Sequence, residues 1–514
     1  MKASVIKAFI PILYLLLGIY IGGNFFSKRG TLFLPQNKIQ QLQDFIINEY
    51  VDSISFDSVI ELTTEKVLQS LDPHSTYIPL KEVNSISENM QGSFEGIGVE
   101  FEIQKDTIVV VAPIIGGPSE KIGIKSGDRI VVVEEDTIAN KTINNNKVIS
   151  LLRGKKGTKV NVFVKRRGVS KWIPFSITRD NIPLYSIDVA YHITPSIFYV
   201  KINRFSGTTF SEFKNKIADL NNMYVKSVIL DLRGNPGGYL HSCVQVIDEF
   251  LKEGLPIVYT KGKNRDKKEY FSTKKGRFQE SKIIVLIDEG SASASEIIAG
   301  AIQDNDRGKI IGRRSFGKGL VQEQWSFDDG SALRLTTAKY YTPTGRSIQR
   351  PYKDSETYYD EYIDRFQTGE IYFEDSINIV DTMKFKTPKG KIVYGGGGII
   401  PDVYVPYDTT IFSSQFYRLI NTSLISDFSF SYADKNREEI TNKAIPSNFF
   451  LDFLNFLSER GENLVFLNEK EKLYLKAYIE ASVSRNINGR ESFYPIIHKK
   501  DPYIIEALKQ INKN

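Results

Sequence analysis

Residues 288–322 read DEGSASASEIIAGAIQDNDRGKIIGRRSFGKGLVQ, and they place serines and a lysine where hydrolytic chemistry could be done. The apolar, β-branched run before them, Ile283-Ile284-Val285-Leu286-Ile287, has the length and content of a buried strand. A Gly-Ser-Ala turn follows, and then Glu296-Ile297-Ile298-Ala299-Gly300-Ala301-Ile302 is apolar in the manner of a helix. Ile310-Ile311 marks a second short strand, and Gly317-Lys318-Gly319 leads into a third. A serine at a helix start lies among unpaired N–H groups at the positive end of the helix dipole. That position stabilises negative charge developing on a carbonyl oxygen under attack. The hydroxyl still needs a base. A lysine serves once burial lowers its pKa enough to populate the neutral amine, and serine–lysine pairs are a known variant of triad chemistry.

The same residues have a plainer reading. Ser293-Ala294-Ser295-Glu296 fits a capping box, with serine as N-cap and glutamate at N3. A lysine between two glycines is ordinarily a solvated turn residue. The segment by itself does not choose.

A resemblance adds to it. Gly290-Ser-Ala-Ser-Ala-Ser-Glu296, then Gln303-Asp304, then Ser315-Phe-Gly-Lys-Gly319 with Gln322, resembles the catalytic region of the carboxy-terminal processing (tail-specific) proteases. The resemblance implies Ser293 as nucleophile, Lys318 as base 25 residues later, and Gln322 as the residue that orients the lysine. It also implies an oxyanion hole made by the backbone N–H of Ala294 and that of Gly237 or Gly238, in Asp231-Leu-Arg-Gly-Asn-Pro-Gly-Gly238. A strand ending in a Gly-Gly turn before a helix turns N–H groups toward a common point, although Gly-Gly is also an ordinary tight turn.

These residues need a scaffold, and the chain beyond residue 180 alternates strands (197–202, 227–232) with helices (208–220, from 241 to 251), which predicts α/β layering. The implied family fold is a crotonase- and Clp-like peptidase core. Residues 92–180 carry the marks of a PDZ domain inserted before it. Gly96-Ile97-Gly98-Val99, followed by Glu100-Phe101, resembles the carboxylate-binding loop and its strand, where adjacent N–H groups form a nest and a strand edge accepts an extended peptide. Residues 124–130, IKSGDRI, resemble the usual Gly-Asp turn, and residues 147–152 read as a short helix expected to form the groove's other wall. A protease that reads apolar C-terminal tails and cuts with a serine–lysine centre follows from joining the two modules. A non-catalytic PDZ scaffold on a peptidase fold is the alternative, and a crotonase-type acyl-CoA enzyme is the more distant rival.

The expected organisation is 1–29 membrane anchor or signal, 30–91 helical region, 92–180 PDZ domain, 181–408 peptidase core and 409–514 mostly helical extension. Residues 8–26 are 19 uncharged residues, enough to span a bilayer as a helix, with a cleaved signal peptide as the runner-up. The resemblance implies a catalytic part outside the cytoplasm, in a bacterial periplasm. Leu71-Asp-Pro-His-Ser-Thr-Tyr77 reads as a helix-ending turn, and His74 is assigned no chemistry.

Composition bounds the rest. The chain has 514 residues, 41% hydrophobic and 25% charged, which is an ordinary globular balance. A formal charge of +6 is too small and scattered to argue for nucleic acid. One cysteine and four histidines exclude a disulfide framework and argue against a metal cluster, and no cofactor is expected. Two segments read as insertions. Residues 261–277 hold eight Lys or Arg against two acids and read as a solvated loop or hairpin, and residues 352–381 as a lid or surface excursion. Residues beyond 409 fall outside the shared pattern. They either pack on the core or form an oligomer interface, so a homo-oligomer or an adaptor protein stays open as partner.

Overall fold

The computed structural model describes residues 36–513, apart from 105, 140, 221–223, 274–275, 353–354, 378–383, 408–412, 441–444, 447 and 463–466. The expected membrane segment, residues 1–29, lies outside the described residues. No described helix is long and apolar enough to cross a membrane. The described part of Met1–Leu71 is a unit of its own and consists of the helices Gln36–Glu49 and Phe56–Gln69, the second capped by Ser55.

In the unit Asp72–Asn514 the helical expectation for residues 72–91 holds only in part: a short strand β1 (Thr76–Ile78) precedes the helix Leu80–Gln91. Strand β2 (Ser93–Gly96) then opens the inserted module. Its sheet contains β3 (Val99–Gln104), β4 (Thr107–Pro113), β5 (Arg129–Val133), β6 (Asp136–Thr137), β7 (Lys159–Lys165) and β8 (Ile173–Thr178). Strand β7 shows why these residues make a half-buried sheet: Val160, Val162 and Val164 point inward while Lys159, Asn161 and Lys165 point out. The valines pack with Ile108, Val110, Ile130 and with Val148 and Leu152 of the helix Asn145–Leu152. The sheet order β3-β4-β5-β7-β8 leaves β3 at an edge. On leaving the module, β9 (Asp180–Pro183) pairs antiparallel with β2, so the chain enters and exits side by side.

The next sheet is built from β10 (Ile187–Thr194), β11 (Ile197–Ile202) and β12 (Ser227–Asp231). Strands β13 (Pro256–Gly262) and β14 (Arg265–Phe271) leave it as a hairpin of a second sheet, and β15 (Lys282–Ile287) and β16 (Lys309–Gly312) return. The basic segment is thus largely that hairpin, and its exposed edge strand β14 carries lysines that discourage further strand pairing. Strands β17 (Leu320–Ser326) and β18 (Ala332–Tyr341) complete the second sheet together with β1. After the short pair β19 (Lys384–Lys386) and β20 (Ile392–Tyr394), β21 (Val403–Tyr404) closes the first sheet in the order β10-β11-β12-β15-β16-β21. From β11 to β21 its neighbours are parallel, and parallel neighbours need crossovers. The helices Thr209–Ala218, Leu240–Asp248 and Ala294–Asp304 supply three of them and bury Phe213, Val246, Ile247, Ile298 and Ile302 against one face.

The other face is covered from the far end of the chain. The helix Pro502–Asn512 seats Tyr503, Ile504, Ala507 and Ile511 on Ile229, Ile284, Leu286 and Ile311. The helices Ser414–Asn421, Leu424–Ile440, Phe449–Ser458 and Glu469–Asn488 instead share a separate core around Phe416, Phe428, Phe453, Leu475 and Ile479. Residues 409–514 therefore divide between a helical cluster and a helix that finishes the peptidase sheet.

Ile504 is 1% exposed in that second face. Ile504→Ala should cost about 2–4 kcal/mol through the cavity it leaves, read from the urea midpoint. An unchanged midpoint would show that residues 502–512 are not part of the core.

Candidate active site

Parallel strands put all their carboxyl ends at one edge of a sheet, and ligands of open α/β sheets gather there. Strands β12, β15 and β16 are consecutive neighbours, with Asp231 level with Leu286 and Ile287 level with Gly312. The segments leaving those ends carry, in turn, Gly237-Gly238, Ser293 and Lys318. The three sequence signals meet because three adjacent strands end together. All of them line one cleft of about 840 Å³, along with Ala294, Gln322, Tyr340 and Arg334.

The Gly-Gly turn is stitched to the serine turn through Asn235. Its carbonyl accepts from Ala292 N–H at 2.9 Å and from Ser295 Oγ at 2.9 Å, and its side-chain oxygen accepts from Gly237 N–H at 2.8 Å. Gly237 N–H is thereby used up, and the N–H groups of Gly238 and Ala294 remain without partners among the described residues. Of the two glycines considered, Gly238 is the one left able to donate. Gly237 must lack a side chain, since a Cβ there would lie 2.8 Å from Ser293 Cβ and 2.9 Å from Ala294 N. At Gly238 a Cβ would fall 2.0 Å from the Phe205 carbonyl oxygen.

Ser293 is the N-cap of Ala294–Asp304, with φ 53° and ψ −111°, a left-handed conformation costly for a non-glycine residue. The hydroxyl makes no capping hydrogen bond, while the backbone N–H of Ser293 donates to Glu296 Oε2 at 2.8 Å. The capping-box reading and the functional one are compatible: the residues are arranged as a capping box, with Ser293 Oγ facing the Glu296 N–H, but that N–H donates to the Ser293 carbonyl at 2.9 Å and the Oγ proton has no acceptor among the described residues.

Glu296 does more than cap. It is fully buried, and besides Ser293 it accepts from Lys318 N–H at 2.9 Å, Gly317 N–H at 2.7 Å and Ser315 Oγ at 2.5 Å. One carboxylate thus ties the backbone of the serine to the backbone of the lysine. Burial pushes its pKa up to about 7 against those four donors. The Tyr340 hydroxyl makes a second bridge, to the carbonyls of Lys318 at 2.7 Å and Ser293 at 3.2 Å.

Lys318 has an ammonium without a hydrogen-bond partner among the described residues. Burial, helped by the positive charge of Arg334, lowers its pKa to about 8, against the opposing pull of Glu296 and Asp72. Gln322, on β17, donates from Nε2 to Thr336 Oγ1 at 3.2 Å and makes no hydrogen bond to Lys318 here. Thr336 Oγ1 in turn donates to Asp72 Oδ1 at 3.0 Å, and Asp72 also accepts from Ser75 Oγ at 2.6 Å and from the N–H groups of His74 and Ser75. The turn at 72–75 thus props the strand that carries Gln322. His74 itself shares a 3.0 Å hydrogen bond with the Tyr358 hydroxyl. Sequence reasoning did not find Asp72, Thr336 or Asn235. The aspartate before proline was the one signal available, and it was read as a turn.

Residues 352–381 include the helix Ser355–Gln367, which is anchored and not a loose excursion. Glu361 pairs with Arg314, Arg350 and Arg365, and Glu370 binds Arg314 through both oxygens at 2.6 and 2.7 Å. Arg365 also donates to the carbonyls of Arg314 and Ser315, just before the lysine turn. In the inserted module Ile97 and Gly98 follow β2, with Gly98 at φ 73°, and their N–H groups donate to nothing among the described residues. They sit at the head of the open edge of β3, next to Val99.

Replacing Glu296 by Gln should turn two of its accepted hydrogen bonds into donor–donor contacts. The expected loss is about 3 kcal/mol of stability and at least about 100-fold in kcat. Near-parental kcat in a folded Glu296→Gln variant would show that the bridge does not position the pair.

The profile of peptidase family S41 matches residues 196–355, and that of the PDZ domain matches residues 96–173. The carboxy-terminal-processing protease of Bartonella bacilliformis is 38% identical over 325 residues, 61% of this chain and 74% of the relative. Carboxy-terminal processing protease CtpB of Bacillus subtilis is 34% identical over 317 residues, 61% of this chain and 65% of its own, so the chain spans just under two thirds of that relative. Among solved structures, the photosystem II D1 C-terminal processing protease aligns with a TM-score of 0.37 at 24% identity, covering 72% of this chain and 86% of that one.

Proposed function

The chain belongs to the carboxy-terminal processing proteases of peptidase family S41, and we propose that it is a serine endopeptidase which holds substrates by their C-terminal tails and cuts them with Ser293 and Lys318. The observation that carries this reading is the partnerless, half-buried Lys318, with a pKa of about 8, in the same cleft as a strained serine whose hydroxyl is uncommitted.

The steps follow from the geometry. Neutral Lys318 accepts the hydroxyl proton as Ser293 Oγ bonds to the scissile carbonyl carbon. The carbonyl oxygen becomes an oxyanion that takes hydrogen bonds from Gly238 and Ala294 N–H, both preorganised and unpaired. Collapse of the tetrahedral intermediate expels the amine, which receives its proton from Lys318, and leaves an ester on Ser293. A water then repeats the sequence: Lys318 removes its proton, the ester breaks, and Ser293 regains its hydrogen. Gln322 steadies the lysine. Its Nε2 is committed to Thr336, which leaves its side-chain oxygen as the atom through which it would orient the lysine.

Tail recognition rests on the loop Gly96-Ile97-Gly98-Val99, in which the Ile97 and Gly98 N–H groups suit a terminal carboxylate, and on the unpaired edge of β3, which suits an added strand. A parallel sheet with helices on both faces supports a crotonase- or Clp-like reading of the core. The uncharged residues 8–26 support an anchored enzyme with its catalytic part outside the cytoplasm, in a periplasm.

The test is cleavage of an unstructured protein with an apolar C-terminus, beside the same protein with a charged tail. Ser293→Ala and Lys318→Ala should each lose at least about 1,000-fold in kcat/KM, and the charged tail should weaken cleavage by the parent. Cleavage that survives Ser293→Ala sinks the assigned nucleophile. Because the base must be unprotonated, kcat/KM should rise with pH and level off above the Lys318 pKa of about 8. A profile that is flat between pH 6 and 9 would exclude lysine as the base.

A further inference from the structure

Three lysine, arginine or acidic side chains line the cleft: Lys318, Glu323 and Arg334. Lys318 has its role above. Glu323 is already neutralised, since Arg265 donates to both its oxygens at 3.1 and 2.7 Å. Arg334, on β18, is different. It donates from Nη2 to Gln324 Oε1 at 3.0 Å, and no carboxylate among the described residues pairs with it. It is half-buried, and burial pulls its guanidinium below the ordinary value. A half-buried guanidinium without a counter-ion loses part of its hydration, and most of its five donors are left for a ligand. It lines the same cleft as Ser293 and Lys318, and its charge is, after burial, the largest influence lowering the Lys318 pKa.

We propose that Arg334 is a specificity-determining residue that binds a carboxylate of the substrate within the catalytic cleft. This rests on the cleft being a peptidase site. A planar guanidinium fork matches a carboxylate through two parallel hydrogen bonds, and a half-buried position strengthens the pair relative to an exposed one. Two sources offer that group: an Asp or Glu side chain beside the scissile bond, or the terminal carboxylate of a tail short enough to reach it.

The experiment compares matched peptides in the parent and in Arg334→Gln and Arg334→Glu. One series places Glu or Gln at each position flanking the cleaved bond, and a second carries the C-terminus as acid or amide. The readout is the ratio of kcat/KM for the acidic and neutral members within one variant, which cancels any change in Lys318 ionisation. In the parent one pair should favour the acid about ten-fold, the scale of a partly buried ion pair. That ratio should approach one in Arg334→Gln and invert in Arg334→Glu. Which series shows it names the source of the carboxylate. Acid-to-neutral ratios that are the same in parent and Arg334→Gln throughout both series overturn the proposal. Binding of the same peptides to Ser293→Ala, with and without Arg334→Gln, is measured alongside by fluorescence anisotropy. Absence of cleavage by the parent would then count against the peptidase, while an acid preference in binding that depends on Arg334 would still decide the role of Arg334.

Discussion

Glu296 sits where water does not reach and receives hydrogen bonds from the serine turn on one side and the lysine turn on the other. A buried carboxylate is tolerable only when its lone pairs are filled, and here every donor comes from the serine turn or the lysine turn. The constraint runs both ways. The glutamate needs those amides, and the amides are held within reach of each other because it needs them. Lys318 can remain unpaired and poorly solvated because its backbone, not its side chain, anchors it. A lysine fixed through its ammonium would be a poor base, since each bond to the charged form raises its pKa.

The same division of labour recurs around the cleft. Asn235 uses its side chain on Gly237 and its carbonyl on the serine turn, which leaves Gly238 N–H uncommitted. Thr336 takes the nitrogen of Gln322 and is itself fixed by Asp72. In each case a neighbouring polar residue satisfies a backbone or amide group that would otherwise compete for the groups lining the cleft. Among the described residues around Ser293 and Lys318, the serine hydroxyl proton, the lysine ammonium and the amides of Gly238 and Ala294 stay unpaired. Arg334 belongs with that set, which is why its lack of a counter-ion is informative.

Around this centre the chain is arranged in layers that the order of residues does not suggest. The PDZ module is bounded by the β2–β9 pair, so it can be present between Leu80–Gln91 and the core without disturbing the sheet. The outer face of that sheet is closed by Pro502–Asn512, nearly 100 residues after β21. Apolar residues at Ile229, Ile284 and Ile311 would otherwise face water, so a parallel sheet of this kind requires cover on both sides.

Much was legible locally. The apolar run at 283–287, the helical run from 296 and the Gly-Gly turn after β12 were readable because side-chain period and turn chemistry are properties of neighbours in the chain. The motifs around Ser293 and Lys318, and the Gly96–Val99 loop, were readable because their chemistry depends on residue type and short spacing. What the sequence could not determine was which groups are paired. Whether Gly237 or Gly238 has a free amide depends on where the Asn235 side chain turns. Whether Glu296 caps a helix or bridges a site depends on a lysine turn two dozen residues away. The prop beneath Gln322 joins residues 264 apart, and the last helix meets strands hundreds of residues earlier. Satisfaction of a buried polar group is a property of everything folded around it, and only the tertiary structure decides that.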